Sequence, residues 1–299
     1  MQLLNELCFT SFIKQKSRLA IVAADDKHVL EAVKSAILSN IITPIFIGNA
    51  DKIAQIATEI DFDISSYEII NIIDPSEAAY YGISLIKSSK ADILMKGFLT
   101  TKILMRAVLD KTNGLIHNAI LSHVSINQIS SYSKLIVVTD AAVNIKPSLN
   151  DKVEIIKNAV AICEKIGIHN PKVAVICPVE FVNPKIESTV HASLLMNMNK
   201  QGIIKNCIVE GPLALDNAIS IESATLKGIE GLVVGNADIL LTPDLDSGNI
   251  LYKALNFMAN GSSAAVIAGA QVPIVLTSRS DSAQNKLNSI ALACSIAQS

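Results

Sequence analysis

Pro273-Ile274-Val275-Leu276-Thr277-Ser278-Arg279-Ser280-Asp281-Ser282 passes from an apolar run into a polar one. The segment after it, Ala283 to Ala297, sets Leu287, Ile290, Ala291, Cys294 and Ala297 at spacings of three and four, the period of an amphipathic helix. The stretch therefore reads as buried strand, tight polar loop, helix. Such a loop brings free backbone N–H groups and the positive end of a helix dipole to one point, which suits an anion. Arg279 adds a planar cation that clamps phosphate or carboxylate through two parallel bonds. Ser278 adds a hydroxyl that can donate or accept. Asp281 has a local job: with Gln284 three residues on, it has the spacing of a capping box, Asp standing in for Ser or Thr. Arg279 has no such local job and is the stronger functional candidate.

The same unit recurs upstream. Leu19 to Ala24 reads as a buried strand, and Asp25 or Asp26 caps a helix ending near Asn40. Pro44 to Ile47, Tyr67 to Ile70 and Asp92 to Met95 are further strands, with helices from Ala50 to Ile60, after Asp74-Pro75, and through Leu109. This alternation implies βαβ units and a parallel sheet. It pauses at Gly114 to Asn118, where Leu121 to Ile126 and Leu135 to Val138 read as strands with no helix between them. It resumes with a helix from Asp151 to Ile166, a strand from Lys172 to Ile176, a helix from Ser188 to Asn199, strands Cys207 to Val209 and Asp238 to Leu241, a helix from Asn249 to Met258 and a strand from Ala264 to Ala268. The pause near Asn127 reads as a crossover between domains. The expected division is 1–126 plus 276–299 for an N-terminal α/β domain and 127–275 for a second α/β domain.

Composition narrows the class. The chain has 299 residues, enough for two ordinary domains, and half are hydrophobic. Trp is absent and aromatics are scarce, so Ile, Leu, Val and Ala build the core, as in parallel sheets covered by helices. A net charge of −2 with no basic run argues against nucleic acid. The five cysteines are scattered with no Cys-x-x-Cys pair, which argues against a zinc site or a disulfide framework and for a reducing compartment. Asn5 and Glu6 interrupt the N-terminal apolar stretch, so no signal peptide is expected. The uncharged span Ala254 to Ser278 is broken by polar residues and Pro273, so no membrane span is expected either. The expectation is a cytoplasmic protein with no metal site.

Ligands of open α/β sheets bind beyond the carboxyl ends of the strands. This directs attention to Lys96-Gly97-Phe98-Leu99-Thr100-Thr101, to Thr139-Asp140-Ala141-Ala142-Val143-Asn144, to Glu210-Gly211-Pro212 and to Ser278-Arg279. The first repeats the design of the last, with Gly97, hydroxyls such as Thr100, a helix, and Arg106 about a turn and a half further on; taken alone, an ordinary capped helix with exposed Lys and Arg fits it better. His123, between two strand-like runs, is either a base or a hydrogen-bonded structural residue. No Gly-x-Gly-x-x-Gly, Walker loop, His-Glu-x-x-His or Gly-x-Ser-x-Gly occurs.

At these loops the chain resembles the phosphate acetyl/butyryl transferase family, and within it the butyryl members. The residues that carry the resemblance are Ala91 to Gly97, Leu121-Ser122-His123-Val124, Thr139-Asp140-Ala141-Ala142, Val182-Asn183-Pro184-Lys185, Gly211 to Asp216, Gly248 to Lys253 and Val275 to Arg279, seven motifs in order over nearly the whole chain. The resemblance implies a two-domain α/β/α sandwich of the isocitrate/isopropylmalate dehydrogenase-like type, its active site in the interdomain cleft and its C-terminal helix folded back onto the N-terminal domain. It implies reversible transfer of a short acyl group, butyryl or acetyl, between coenzyme A and inorganic phosphate without an acyl-enzyme. Coenzyme A is then substrate and product rather than a resident cofactor, and a homodimer or higher homo-oligomer is implied. The residue matching Ser278 hydrogen-bonds the thiol sulfur. Arg279 matches the residue that binds phosphate and the developing oxyanion, and Arg106 a further anion-binding arginine. Lys96, Gly97, Thr100, His123, Asp140 and Asn144 complete the expected phosphate and coenzyme site.

Three positions depart from the family pattern. The acetyltransferases place an Asp, base for the thiol, seven residues beyond the Ser; here that place is Asn285, which cannot take a proton. Asp281 is the substitute and His123 the second choice, with Asp281 expected mainly to position Ser278 and Arg279. Ile116-His117-Asn118 replaces Arg-Thr-Gly, and Glu210 replaces the Asp of Asp-Gly-Pro-Leu. Two other readings stay open on sequence: a metal- and nicotinamide-dependent dehydrogenase of the hydroxythreonine-phosphate type on the same architecture, and a paralogue that binds coenzyme A without turnover.

Overall fold

A computed structural model of the chain describes residue 4 and residues 15–116, 120–278 and 280–298. Strands and helices alternate from the start: β1 (Ser17–Val22), α1 (Lys27–Leu38), β2 (Ile42–Gly48), α2 (Ala50–Glu59), β3 (Glu68–Asn71), α3 (Pro75–Lys87), β4 (Ile93–Lys96) and α4 (Thr101–Val108). Local chemistry sets these starts. The carboxylate of Asp26 accepts from Val29 N, Asn49 accepts from Lys52 N, and Asp74 accepts from Ser76 N and Glu77 N with Pro75 in the first turn. Of the two aspartates offered for the first cap, the structure uses Asp26.

The middle of the chain forms β5 (Ser122–Gln128), β6 (Ile136–Thr139), α5 (Leu149–Lys165), β7 (Lys172–Ile176), α6 (Glu187–Lys200), β8 (Ile208–Leu213), α7 (Leu215–Ile219), α8 (Ile221–Leu226), β9 (Ile239–Leu241) and α9 (Leu245–Lys253). The helix expected from Asn249 to Met258 thus starts earlier, at an Asp244 cap, and its last five residues, Ala254–Met258, widen into a π-turn. The chain closes with β10 (Ser262–Ala268), β11 (Ile274–Val275) and α10 (Ala283–Ala297).

These elements fall into two compact units. The first comprises Asn5–Ala119 and Ala264–Ser299. Its strand order is β3-β2-β1-β4-β11-β10, parallel throughout except for the antiparallel β10–β11 pair. Leu19, Ile21, Ile47, Ile93, Leu94 and Met95 are fully buried between the sheet and its helices, each worth about 1.5–3 kcal/mol on leaving water. Helix α10 packs against α1, and Gln298 Nε2 donates to Ser17 Oγ at 2.9 Å. The C-terminal helix therefore lies on the unit built by the N-terminal strands.

The second unit comprises Met1–Leu4 and Ile120–Ser263. Its order is β5-β6-β9-β7-β8, with β5 antiparallel to β6 and the rest parallel. The two strand-like runs without an intervening helix are this antiparallel pair, with Ser125 opposite Val138. Helices α7 and α8, which the sequence pattern does not announce, bury Ala218 and Ala224 against Val138, Leu213 and Leu240. The units change over at 119/120 and 263/264, where the sequence reading has 126/127 and 275/276. The later change follows from pairing: Ile267 on β10 faces Ile274 on β11, and β11 in turn pairs with β4.

Candidate functional site

In the first unit, β1, β4 and β11 are adjacent and parallel, so their carboxyl ends deliver three loops to the same edge of the sheet. Lys96, the last residue of β4, pairs with Val22. Beyond it the chain runs hard against the end of β1. Gly97 N donates to Val22 O at 2.8 Å and Phe98 N to Ala23 O at 2.6 Å. A Cβ on Gly97 would lie 2.1 Å from Ala23 O, so only glycine fits. Ala23 itself holds φ 53°, left-handed backbone that a side chain disfavours and that clusters at functional sites.

Lys96 is buried, and its ammonium bends over its own loop, donating to Gly97 O at 3.2 Å and Leu99 O at 3.1 Å. Thr100 caps α4, its hydroxyl accepting from Ile103 N at 3.3 Å. Arg106 lies exposed in the last turn of α4 and makes no ion pair among the described residues. The structure thus gathers Lys96, Gly97 and Thr100 in one loop and sets Arg106 further along the helix.

The loop after β11 is built around a four-residue turn. Ser278 N donates to Asp281 Oδ2 at 2.6 Å, and Asp281 N returns to Ser278 O at 3.2 Å. The Ser278 and Ser280 hydroxyls lie 2.9 Å apart. The capping box expected from Asp281 and Gln284 is not formed. Ser282 caps α10 by accepting from Asn285 N at 3.2 Å, and Gln284 Nε2 instead donates to Asn288 Oδ1 at 2.9 Å. The physical reason is the turn: the Asp281 carboxylate faces back to Ser278 and is 4% exposed, which leaves the cap to the next residue. Arg279 lies outside the described residues, as do His117 and Asn118.

One residue of this loop region escaped the sequence reading. Lys286, on the first turns of α10, is 2% exposed and donates to Ser278 O at 2.8 Å and to Asp281 O at 3.0 Å. Burial pushes its ammonium below the ordinary lysine range, while the charges of Asp281 and Asp26 oppose that. A signal was available: Lys286 is the lone charged residue between Ala283 and Ala297.

In the second unit the expected site residues lie on and beyond β5 and β6. His123 on β5 is buried, edge-on to Tyr252 with ring centroids 5.7 Å apart, and its carbonyl accepts from Thr139 Oγ1. Asp140, just after β6, accepts from the backbone N–H groups of Ala142, Val143 and Asn144. Asn144 Nδ2 joins this carboxylate and also donates to Leu121 O at 2.7 Å. Glu210 likewise receives Leu232 N and Val233 N at 2.8 and 2.9 Å, so the longer acid still clamps a turn. A pair outside these motifs is the buried Lys152 and the half-buried His191, with Nζ and Nδ1 3.2 Å apart.

Among the described residues no helix is long and apolar enough to cross a membrane, and no group of three His, Cys, Asp or Glu is placed to hold a metal ion. Known proteins are similar to this chain along most of its length. The chain is 44% identical to a phosphate butyryltransferase of Clostridium beijerinckii over 94% of this chain and 93% of that protein. It is 41% identical to a phosphate acetyltransferase of Thermotoga maritima over 92% of this chain and 93% of that protein. A solved branched-chain phosphotransacylase from Enterococcus faecalis superposes with a TM-score of 0.83 at 31% identity, covering 94% of this chain and 99% of that one. The model of the phosphate acetyl/butaryl transferase family matches residues 75–294, which include the Lys96 loop, β11 and most of α10, and the chain belongs to that family.

Proposed function

We propose that the protein transfers a short acyl group, butyryl or acetyl, reversibly between coenzyme A and inorganic phosphate. The observation that carries this reading is the Ser278 turn, set beside the Lys96–Gly97 loop in a chain related end to end to phosphate acyltransferases. On the same relationship we assign the isocitrate/isopropylmalate dehydrogenase-like class to the fold.

In the forward direction a phosphate oxygen attacks the thioester carbonyl carbon. The new C–O bond gives a tetrahedral oxyanion; on its collapse the C–S bond breaks and coenzyme A leaves as thiolate. The proton of hydrogen phosphate is sufficient to convert that thiolate to thiol, so the step balances without a protein base. Arg279 is assigned to the phosphate and the oxyanion, where a fixed donor is worth most in the transition state. Ser278, its backbone pinned by Asp281, is assigned to the sulfur. Lys96, Gly97, Thr100 and Arg106 are assigned to phosphate groups, and His123, Asp140 and Asn144 to shaping the second unit's loops rather than to proton transfer. Asp281 already accepts from Ser278 N and so suits positioning better than proton removal.

The test follows thiol release from butyryl- and acetyl-coenzyme A with and without phosphate. Release that requires phosphate supports the reading. Release at equal rate without phosphate, or none with either thioester, refutes it.

A further inference from the structure

We propose that Lys286 is a positioning residue for acyl transfer, holding the Ser278–Asp281 turn in its working shape. The proposal rests on the acyl-transfer reading above. A charged side chain buried in a helix is costly unless its donors are filled. Lys286 is buried in a helix whose neighbouring residues, Leu287 through Ser295, are also buried. Two of its bonds go to the carbonyls of Ser278 and Asp281, the two ends of one turn. That turn is already closed by Ser278 N to Asp281 Oδ2 and by Asp281 N to Ser278 O. Four bonds thus fix Ser278 and Asp281, the two ends of one turn. Helix α10 has its own cap in Ser282, so Lys286 is not needed to start the helix.

The arrangement orients Ser278. Its N–H is taken by Asp281 and its carbonyl by Lys286 and Asp281 N, while its hydroxyl, half-exposed, meets only the N–H of Ser280 at 3.4 Å and the Ser280 hydroxyl at 2.9 Å among the described residues. The Asp26 charge, at the cap of α1, acts on the same ammonium. Lys286 therefore couples the loop to α10, within which it sits, and electrostatically to the start of α1.

The experiment compares wild type, Lys286→Met and Lys286→Gln, each with and without Asp281→Ala, by steady-state kinetics with butyryl-coenzyme A and phosphate alongside thermal unfolding. Met keeps the stem and removes the ammonium; Gln keeps a shorter N–H donor. Misplacing a group that contacts the reacting atoms by about 1 Å costs up to about 100-fold in rate. Lys286→Met is therefore expected to lower kcat about 10- to 100-fold with each KM within about three-fold. Lys286→Gln should recover part of the loss. Because both ties serve one turn, Lys286→Met and Asp281→Ala together should lose less than the product of their separate losses. A folded Lys286→Met enzyme with unchanged kcat overturns the proposal, as do losses that multiply. Failure of both variants to fold assigns Lys286 to stability alone and overturns it too. An inactive wild type overturns the acyl-transfer reading itself and this role with it.

Discussion

At the scale of single residues, Asp281 and Arg279 separate positioning from charge stabilisation. Asparagine at 281 keeps an oxygen that can accept from Ser278 N, whereas alanine leaves that N–H without its partner. Asp281→Asn should therefore retain measurable activity with the pH profile of kcat/KM preserved, and Asp281→Ala should lose roughly ten-fold more, in line with about 1.4 kcal/mol per decade. Complete loss in a folded Asp281→Asn enzyme would make this carboxylate the base. Arg279→Ala should lower kcat by about 10²–10³, the cost of removing one oxyanion donor. An unchanged kcat with a raised KM for phosphate would make Arg279 a ground-state binder. The strand and helix on either side of the Ser278 loop were legible in sequence because an apolar run, a polar run and a helical period follow one another in order. The side-chain roles within the loop were not. Asp281 and Ser282 are both good caps by type, and the choice between them depends on a turn that brings residue 281 back to residue 278.

At the scale of elements, Ser282 rather than Asp281 starts α10. Ser282→Ala should cost about 0.5–2 kcal/mol, read as a lower midpoint in thermal or urea unfolding, and should spare KM. An equal loss of stability from Asp281→Asn, with none from Ser282→Ala, would restore the sequence-level cap. Most strands and helices were legible because their apolar runs and caps agree, as at Asp74-Pro75. Helices α7 and α8 were not, since five- and six-residue segments carry too few turns to display a period. Nor was the π-turn after α9, where the widening shows in Ala259 N reaching back to Ala254 O.

At the scale of the whole molecule, pH reports on the second unit. Burial, then the nearby Lys152 charge, holds the His191 imidazole below its ordinary range; Lys146 adds to this and Glu187 opposes it. The unfolded chain takes up this proton near pH 6.5 while the folded chain resists, so stability present above that pH is lost as pH falls towards the depressed folded value. His191→Asn should flatten the fall in melting temperature between about pH 7 and 5. An identical slope in both proteins would remove His191 from the acid sensitivity. The pairing behind it could not be read from sequence, because Lys152 and His191 are on different helices, 39 residues apart. The alternation of strands and helices, by contrast, made the α/β class legible throughout, while the crossover was read near Asn127 and the compact units change over at 119/120.

The most direct measurement incubates the wild-type protein with butyryl-coenzyme A and inorganic phosphate and quantifies free thiol and acyl phosphate together. Direct transfer requires equal amounts of both, formed only when phosphate is present, and the same products consumed when the reaction is started from acyl phosphate and coenzyme A. Thiol appearing without acyl phosphate would make the protein a thioester hydrolase and contradict the assignment.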